Sequence, residues 1–233
     1  MKTDQARELG RDLAGLVERE KIEDAYARLS PILAARTPFR LLDVIGEQIG
    51  AASLESVNPF LDHIAAQNMM GGWVVIASAL KGQLERDLPG AIVRSQKYII
   101  LADVWYATDI LGERVPGPAL VADFDRALAA LSPWRADENR WVRRTVGVAV
   151  HLWAKRSRGA DEYSRRVKQL LTFLEPMFEE RDVDAIKGVG WGLKTLGRYY
   201  PELVSEWLKK HVARPHKALM ERKARTYLGK RGG

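Results

Sequence analysis

Apolar residues recur at helical spacing along almost the whole chain, and this period limits the possible folds more than any other feature. In residues 4–18, for example, Ala6, Leu9, Leu13 and Leu16 fall three or four positions apart. The same spacing continues downstream and predicts about a dozen helices of about 12–18 residues, joined by short turns. The sequence has no convincing strand, no Asn-Gly hairpin turn and no Rossmann glycine pattern. We therefore predict an all-α protein.

Short turns between helices of similar length favour antiparallel helical pairs, which stack into an α-solenoid with a concave face. A compact helical bundle is the alternative, because no strict repeat period is visible. No clear linker occurs, so residues 1–233 are predicted to form a single domain. Breaks between helices are predicted at Gly71-Gly72, at Gly112 and at Pro116-Gly117-Pro118.

The composition excludes several classes of protein. Hydrophobic residues make up 46% and charged residues 29%, as in a globular protein, and the absence of cysteine excludes disulfides, thiolate metal sites and a cysteine nucleophile. The charged N-terminus lacks the pattern of a signal peptide, and no apolar run reaches about eighteen residues, so we expect no membrane span. There is no P-loop, nucleophile elbow or HExxH motif, and the four histidines lack metal-ligand spacing. We therefore expect no metal and no cofactor.

The charge of the chain is unevenly distributed. Of the net charge of +7, residues 1–140 contribute −4 and residues 141–233 contribute +11. A basic half joined to a mildly acidic half indicates a polyanion that docks on one side, and nucleic acid is the favoured partner. The alternative is a charged surface that only keeps the protein in solution.

Within the basic half, Lys187, Trp191, Lys194 and Arg198 follow one another at spacings of four, three and four residues. On an α-helix this spacing places three cations and one indole on a single face. Such a row can bind a phosphate backbone, with an aromatic ring at its middle.

Glycines cluster in the same segment. Gly188, Gly190 and Gly192 surround the tryptophan, and each glycine in a helix interior costs about 1 kcal/mol relative to alanine. Either close helix packing or the close approach of a ligand backbone would compensate for this cost.

Two adjacent arginines, Arg143 and Arg144, precede this segment. Arg144, Gly147 and His151 share a helix face, and the glycine would let a backbone come close. A guanidinium there could bind a phosphate through its forked N–H groups. The alternative is a solvated charged face.

Upstream, Trp105 and Asp109 lie one helical turn apart. Apolar residues follow Asp109, so we expect its carboxylate to be partly desolvated and suited to chemistry. The alternative is a surface aspartate beside a core tryptophan, which composition alone favours.

Three motifs resemble those of the AlkD family of bacterial DNA alkylation-repair glycosylases, in the same order and with similar separations across about residues 100–200. They are Trp105-Tyr-Ala-Thr-Asp109, Trp141-Val-Arg-Arg144 and Lys187-Gly-Val-Gly190-Trp191-Gly-Leu-Lys194. The resemblance implies HEAT-like helical pairs that hold DNA in a basic concave groove. It also implies hydrolysis of the N-glycosidic bond of cationic alkylated purines, chiefly 3-methyladenine and 7-methylguanine, in duplex DNA.

The resemblance further implies that Asp109 is the catalytic carboxylate, that Trp105 and Trp191 pack against the lesion's sugar, and that Arg144 holds the backbone. It implies that the enzyme works without a pocket for the base. The basic residues predicted to bind DNA are Arg143, Arg144, Lys187, Lys194 and Arg198.

Three positions depart from the family's pattern. Val104 stands where well-known members have a second tryptophan, Tyr106 replaces an acidic residue, and Lys194 replaces an arginine and lacks its forked geometry. Two other hypotheses therefore stay open: a non-catalytic HEAT-like module that binds DNA or another acidic partner, and a helical protein–protein scaffold. We expect a monomer in the cytoplasm, associated with the nucleoid. The basic segment Lys217–Arg231 is expected to be an electrostatic auxiliary or a frayed end.

Overall fold

The structure is a computed structural model that describes residues 1–228, and this part of the chain is helical and contains no strand. The all-α prediction is confirmed. The last residues of the predicted basic segment, 229–231, lie outside the described residues. The α-helices are α1 (Thr3–Val17), α2 (Ile22–Ala34), α3 (Phe39–Ile49), α4 (Leu54–Ala66), α5 (Met70–Gln83), α6 (Leu88–Ala102), α7 (Trp105–Arg114), α8 (Pro116–Ala122), α9 (Phe124–Leu131), α10 (Arg140–Ser157), α11 (Ser164–Leu174), α12 (Val183–Tyr199), α13 (Pro201–His211) and α14 (Ala218–Ala224). Short 3-10 helices occupy Ser132–Ala136, Asp161–Tyr163, Glu175–Glu179 and Arg225–Tyr227.

The chain divides into two compact units, Met1–Val115 and the residues from Pro116 onward. Each unit has its own buried core. The prediction of a single domain over residues 1–233 stays a prediction, because a division into compact units is compatible with one domain or with two.

In the first unit, alternate helices stack side by side. Helices α1, α3, α5 and α7 form one layer, and α2, α4 and α6 form the second. The direction of packing follows from side-chain pairs between α3 and α5: Ser78 donates to Asp43 at 2.7 Å, and Lys81 donates to Glu47 at 2.9 Å. Since both partners advance along the chain together, α3 and α5 are parallel, and α4 between them returns in the opposite direction.

Close packing within this layer depends on Gly46 of α3 and on Gly50, which directly follows that helix. A Cβ at Gly46 would overlap the carbonyl of Val75 and lie 2.8 Å from Cβ of Ser78. A Cβ at Gly50 would lie 2.8 Å from Cα of Ala79. The backbones of α3 and α5 can therefore approach each other only because these positions lack a side chain.

The second unit repeats this arrangement. Helices α8, α10, α12 and α14 form one layer, while α9, α11, α13 and the adjoining 3-10 segments form the other. Stacked helical pairs in both units agree with the predicted solenoid-like fold. The concave basic groove that the resemblance implies stays a prediction.

The predicted break at Gly71-Gly72 is wrong. Helix α5 begins at Met70 and runs through Gly71 and Gly72. In its first turn, a Cβ at Gly72 would lie 3.0 Å from Cγ2 of Ile64, so the space left by the glycine is filled by α4. These glycines permit contact between helices, and their cost to the helix is offset by that packing.

The predicted turn at Gly112 and Pro116-Gly117-Pro118 is present in this segment but is confined to Val115. Helix α7 continues through Gly112 to Arg114, and α8 begins at Pro116. The only interruption is Val115. Proline is tolerated in the first turn of a helix, because the N–H groups there have no intrahelical acceptor.

None of the helices within residues 1–228 combines the length and the hydropathy that a membrane-spanning helix requires.

Candidate functional site

The predicted carboxylate and the first predicted indole lie on one face of α7. Asp103 adopts a left-handed conformation with φ of 43°, and this sharp turn lets α7 begin two residues later. Trp105 is 57% exposed and Asp109 is half-buried, while Thr108 and its neighbours on the other face are buried against the unit. The two side chains therefore share the solvent-facing side of α7, one turn apart, as predicted.

Trp105 contacts Tyr106 edge to face, with ring centroids 5.9 Å apart and an interplanar angle of 84°. An edge contact leaves much of the indole's surface exposed. A tryptophan of which more than half is in solvent adds little to folding stability, because burial of its rings is what would stabilise the fold. This side chain is therefore available to pack against a ligand.

In the second unit, Arg143 has an intramolecular role. Its guanidinium forks onto Glu180 at 2.7 and 3.3 Å and also donates to the carbonyls of Asp137 and Glu138 at 2.7 and 3.0 Å. Burial tends to raise the pKa of Glu180, but the hydrogen bonds from Arg143 and from nearby backbone amides outweigh it, and the net effect is to lower the pKa. Arg143 thus joins the segment before α10 to the segment before α12, and its predicted contact with DNA stays a prediction.

Arg144 points in a different direction from its neighbour. It is only 7% exposed, and Nη1 donates to the carbonyl of Asp184 at 3.1 Å, in the first turn of α12. The arginine predicted to hold the DNA backbone therefore lies at the interface between α10 and α12, close to the start of the cationic row.

Two of the three glycines predicted to need compensation, Gly188 and Gly192, are explained together with Gly147 by packing between α10 and α12. A Cβ at Gly147 would overlap the backbone of Gly188, and a Cβ at Gly188 would overlap the carbonyl of Arg144. A Cβ at Gly192 would lie 2.7 Å from the carbonyl oxygen of Gly147. The backbone that approaches Gly147 is therefore that of α12, and close helix packing is the compensation at these three positions.

Trp191 is held in place by two side chains. Its indole stacks on the imidazole of His151, with centroids 3.9 Å apart and planes inclined by 25°. Nδ1 of His151 lies 2.7 Å from Oγ1 of Thr195, which in turn lies 3.0 Å from the carbonyl oxygen of Trp191. Burial, and then the charge of Lys155, lower the pKa of His151 to about 4, so the imidazole is neutral at physiological pH.

The predicted row on α12 forms the exposed side of that helix. Lys187 and Arg198 are exposed, and Trp191 and Lys194 are half-buried, whereas most of the other positions of α12 are buried. Lys187 pairs with Asp184 at 3.1 Å. The single-face prediction for these four residues is therefore confirmed, and their contact with DNA stays a prediction.

A family model described as DNA alkylation repair enzyme matches residues 74–228, which is about two thirds of the chain. The chain belongs to this family. No curated protein and no solved structure matches it. The match includes all three motifs on which the resemblance rested, together with α14.

A DNA alkylation repair enzyme has DNA as its substrate, and the family assignment therefore supports a role in the repair of alkylated DNA. Within residues 1–228, no group of three or more histidine, aspartate or glutamate side chains is placed to hold a metal ion. The catalytic role of Asp109, Trp105 and Trp191 and the contact of the α12 cations with DNA stay predictions.

Two residues near the row were missed as site residues. His151 was placed on a helix face with Arg144, but its stacking on Trp191 depends on a contact between α10 and α12 that local spacing does not reveal. Lys223 was predicted only as part of the basic terminal segment. Helix α14, which carries it, packs on α12 and buries Met220 and Ala224 completely. The prediction that the basic terminal segment is a frayed end is therefore wrong for residues 217–228.

Proposed function

We propose that this DNA alkylation repair enzyme is a glycosylase that hydrolyses the N-glycosidic bond of cationic alkylated purines, such as 3-methyladenine and 7-methylguanine, in duplex DNA. Asp109, Trp105 and Trp191 act on the sugar, and the cations of α10 and α12 hold the DNA backbone. The proposal includes a monomer that works in the cytoplasm, associated with the nucleoid.

The observation that carries the proposal is the exposed indole beside a carboxylate on α7. Trp105 is 57% exposed, and Asp109 follows it by one turn on the same face. Tryptophan is enriched at interfaces, because its large ring supplies apolar contact area and its N–H can meet a polar partner. The indole of Trp105 and the carboxylate of Asp109 together suit a ligand whose positive charge lies against both groups.

The chemistry of the substrate explains why these groups suffice. An N3- or N7-alkylated purine carries a positive charge and leaves as a neutral base, so it needs little help from a general acid. The barrier lies in the sugar, which becomes an oxocarbenium-like cation. A carboxylate beside the sugar stabilises that cation and can orient the attacking water. Each indole face adds a cation–π attraction of about 0.5–2 kcal/mol.

This mechanism also predicts the selectivity of the enzyme. The rate depends on a leaving group that is already cationic, because no residue in the proposed site donates a proton to the base. Neutral lesions, and unmodified purines, should therefore be released far more slowly than N3- and N7-alkylated purines.

Release of 7-methylguanine from methylated duplex DNA tests the proposal. We expect the wild-type protein to release the base and Asp109→Asn to reduce the rate by at least about 100-fold, with nearly unchanged affinity for DNA. The matched control is Asp12→Asn, which removes an exposed carboxylate from α1 and should leave the rate unchanged.

Full activity in Asp109→Asn would remove this carboxylate from the mechanism. A wild-type protein that binds duplex DNA but releases no alkylated base would instead support the non-catalytic DNA-binding module. A protein that fails to bind DNA at low salt would support the protein–protein scaffold.

A further inference from the structure

Lys223 of α14 lies directly across α12 at Gly190. A Cβ at Gly190 would lie 2.5 Å from Cδ of Lys223 and 2.9 Å from its Cβ. The stem of the lysine therefore occupies the space that any side chain at position 190 would need. Of the glycines around Trp191, this one makes room for a lysine, whereas Gly188 and Gly192 make room for α10.

The half-buried ammonium of Lys223 is surrounded by positive charge. Burial lowers its pKa, and repulsion by other cations lowers it further. Those cations are Lys194, Arg144, Arg222 and Lys187. Among residues 1–228, no carboxylate forms an ion pair with Lys223, and the nearby Asp184 pairs with Lys187. Like charges held together in this way destabilise a protein unless an anion neutralises them.

The turn that follows α14 positions two more cations of α12. Nζ of Lys194 lies 5.5 Å from the ring centroid of Tyr227, and the guanidinium carbon of Arg198 lies 5.7 Å from the same centroid. Both contacts are within the range of a cation–π interaction. Helix α14 and its turn therefore add a lysine to the exposed row of α12 and restrain two members of that row.

The size of this group of cations indicates the kind of anion it can bind. From Lys187 to Arg198 the row extends for about 16 Å along α12, at 1.5 Å per residue. A small anion would neutralise only one part of such a row. A nucleic-acid strand carries one phosphate per about 3.4 Å of helix axis and can contact several positions of the row in succession.

We propose that Lys223, held over Gly190, forms a phosphate site with Arg144, Lys187 and Lys194 that binds a phosphodiester of the duplex DNA backbone. This inference rests on the proposed function, because that function supplies the identity of the ligand. Lys223 contributes a backbone contact that is independent of base sequence, and it is a binding residue of the repair reaction rather than a catalytic one.

The salt dependence of binding to undamaged duplex DNA tests this site. Measured between about 50 and 200 mM salt, Lys223→Gln should weaken binding by about 3- to 10-fold at the low-salt end and reduce the slope of log K against log salt by about 1. Lys223→Arg keeps the charge and should keep the slope. The control Lys209→Gln removes an exposed lysine from α13 and should change the slope by much less.

A second pair of variants tests the contact with Gly190. Gly190→Ala should displace the stem of Lys223 and weaken DNA binding about as much as Lys223→Gln, although it removes no charge. In the background of Lys223→Ala, the same glycine substitution should cause little further loss, because the stem is already absent. Additive losses in this double-mutant cycle would contradict the proposed contact.

Stability distinguishes a binding role from a structural one. Because Lys223 is repelled by its neighbours, Lys223→Gln should leave the urea midpoint unchanged or raise it while DNA binding weakens. A lowered midpoint with an unchanged salt slope would assign the lysine to folding and overturn the proposal. If wild-type protein releases 7-methylguanine and Lys223→Gln retains the wild-type slope, the phosphate site is wrong and the proposed function stands. If the wild-type protein does not bind duplex DNA, both are wrong.

Discussion

The stack of α3 on α5 and the stack of α10 on α12 use the same packing device. In the first unit, Gly46 and Gly50 let α5 approach α3, and in the second, Gly147 and Gly188 let α12 approach α10. In both cases two parallel neighbours touch backbone to backbone, with no side chain between them at the closest points. The glycines determine how near the helices lie, whatever the unit binds.

The charges around these two stacks are arranged differently. In the first unit, Arg114 forks onto Asp43 at 2.7 and 3.3 Å, and Lys81 pairs with Glu47, so that cations and carboxylates alternate. In the second unit, Lys223 lies among cations whose charges lower its pKa. The comparison teaches that packing sets the architecture in both units, while the placement of carboxylates determines whether a cation such as Lys223 has an anionic partner within its unit.

The largest effect should come from filling the glycine contact itself. Gly147→Ala places a Cβ on the backbone of Gly188, which cannot move as a flexible side chain could, and we expect a loss of more than about 3 kcal/mol in the free energy of unfolding. Gly46→Ala should be similarly harmful if the two stacks are equivalent. Urea denaturation of both variants measures this.

Gly15→Ala is the control for these glycine variants. Its Cβ would meet only the guanidinium of Arg19, at 3.6 Å, so alanine should be neutral or stabilise α1 by up to about 1 kcal/mol. The equivalence of the stacks is wrong if Gly46→Ala behaves like this control while Gly147→Ala unfolds the protein.

A smaller effect is expected from the ion pair that anchors the second unit. Glu180→Gln leaves Arg143 buried without its carboxylate partner and should cost about 2–3 kcal/mol at neutral pH. Because the pKa of Glu180 is lowered in the folded protein, its contribution is complete above the unfolded value of 4.5 and is lost as pH falls below it. Unfolding free energies of wild type and variant should therefore converge in acid.

The control for this pair is Glu206→Gln, which removes the partner of Lys210 from an exposed pair with both side chains about two-thirds in solvent. Such pairs contribute little, so we expect no measurable change. Equal losses of unfolding free energy in the two variants would mean that burial of the Arg143–Glu180 pair does not increase its contribution to stability.

The spacing of residues along the chain is sufficient to predict some features of the structure but not others. The period of apolar residues predicts most helices, and the four-three-four spacing places Lys187, Trp191, Lys194 and Arg198 on one exposed face. Both follow from the geometry of a single helix. The family motifs led to the same conclusion as the family model.

Features that depend on contacts between distant parts of the chain were not predictable. Whether a glycine ends a helix or lets two helices touch depends on what lies opposite, as Ile64 does for Gly72. The pairing of Arg143 with Glu180 joins residues 37 positions apart, and Lys223 lies over Gly190 only because α14 packs on α12. No local spacing encodes these partners.

A further effect is expected from the polar side chains that pack between the helices of each stack. Where α3 and α5 hold the pair Ser78–Asp43, α10 and α12 hold His151 against Thr195 and Trp191. The pKa of His151 falls to about 4 in the folded protein, so the unfolded chain takes up a proton first as pH decreases. Stability should therefore be complete above about 6.5 and decline by about 2 kcal/mol as pH falls toward 4. His151→Gln should flatten this part of the profile.

Urea midpoints measured at several pH values between 4 and 7 check this prediction. Because the contribution of Glu180 is constant above pH 4.5 and changes only below it, the interval from about 6.5 to 5 isolates the histidine. A profile of wild-type protein that is as flat as that of His151→Gln in this interval would mean that the imidazole is not desolvated beside Trp191.

The smallest loss of stability is expected for Trp105→Ala, and the buried Trp73 of the same unit provides the comparison. Trp105 is 57% exposed and Trp73 is 1% exposed, so Trp105→Ala should cost less than about 1 kcal/mol, whereas Trp73→Ala should cost about 3–5 kcal/mol. Release of 7-methylguanine should nevertheless fall by at least about 10-fold in Trp105→Ala, since the lost indole face would otherwise lie against the cationic sugar. A variant that loses stability and activity in proportion would show that Trp105 supports α7 rather than the substrate. Loss of activity at unchanged stability would instead assign Trp105 to the substrate.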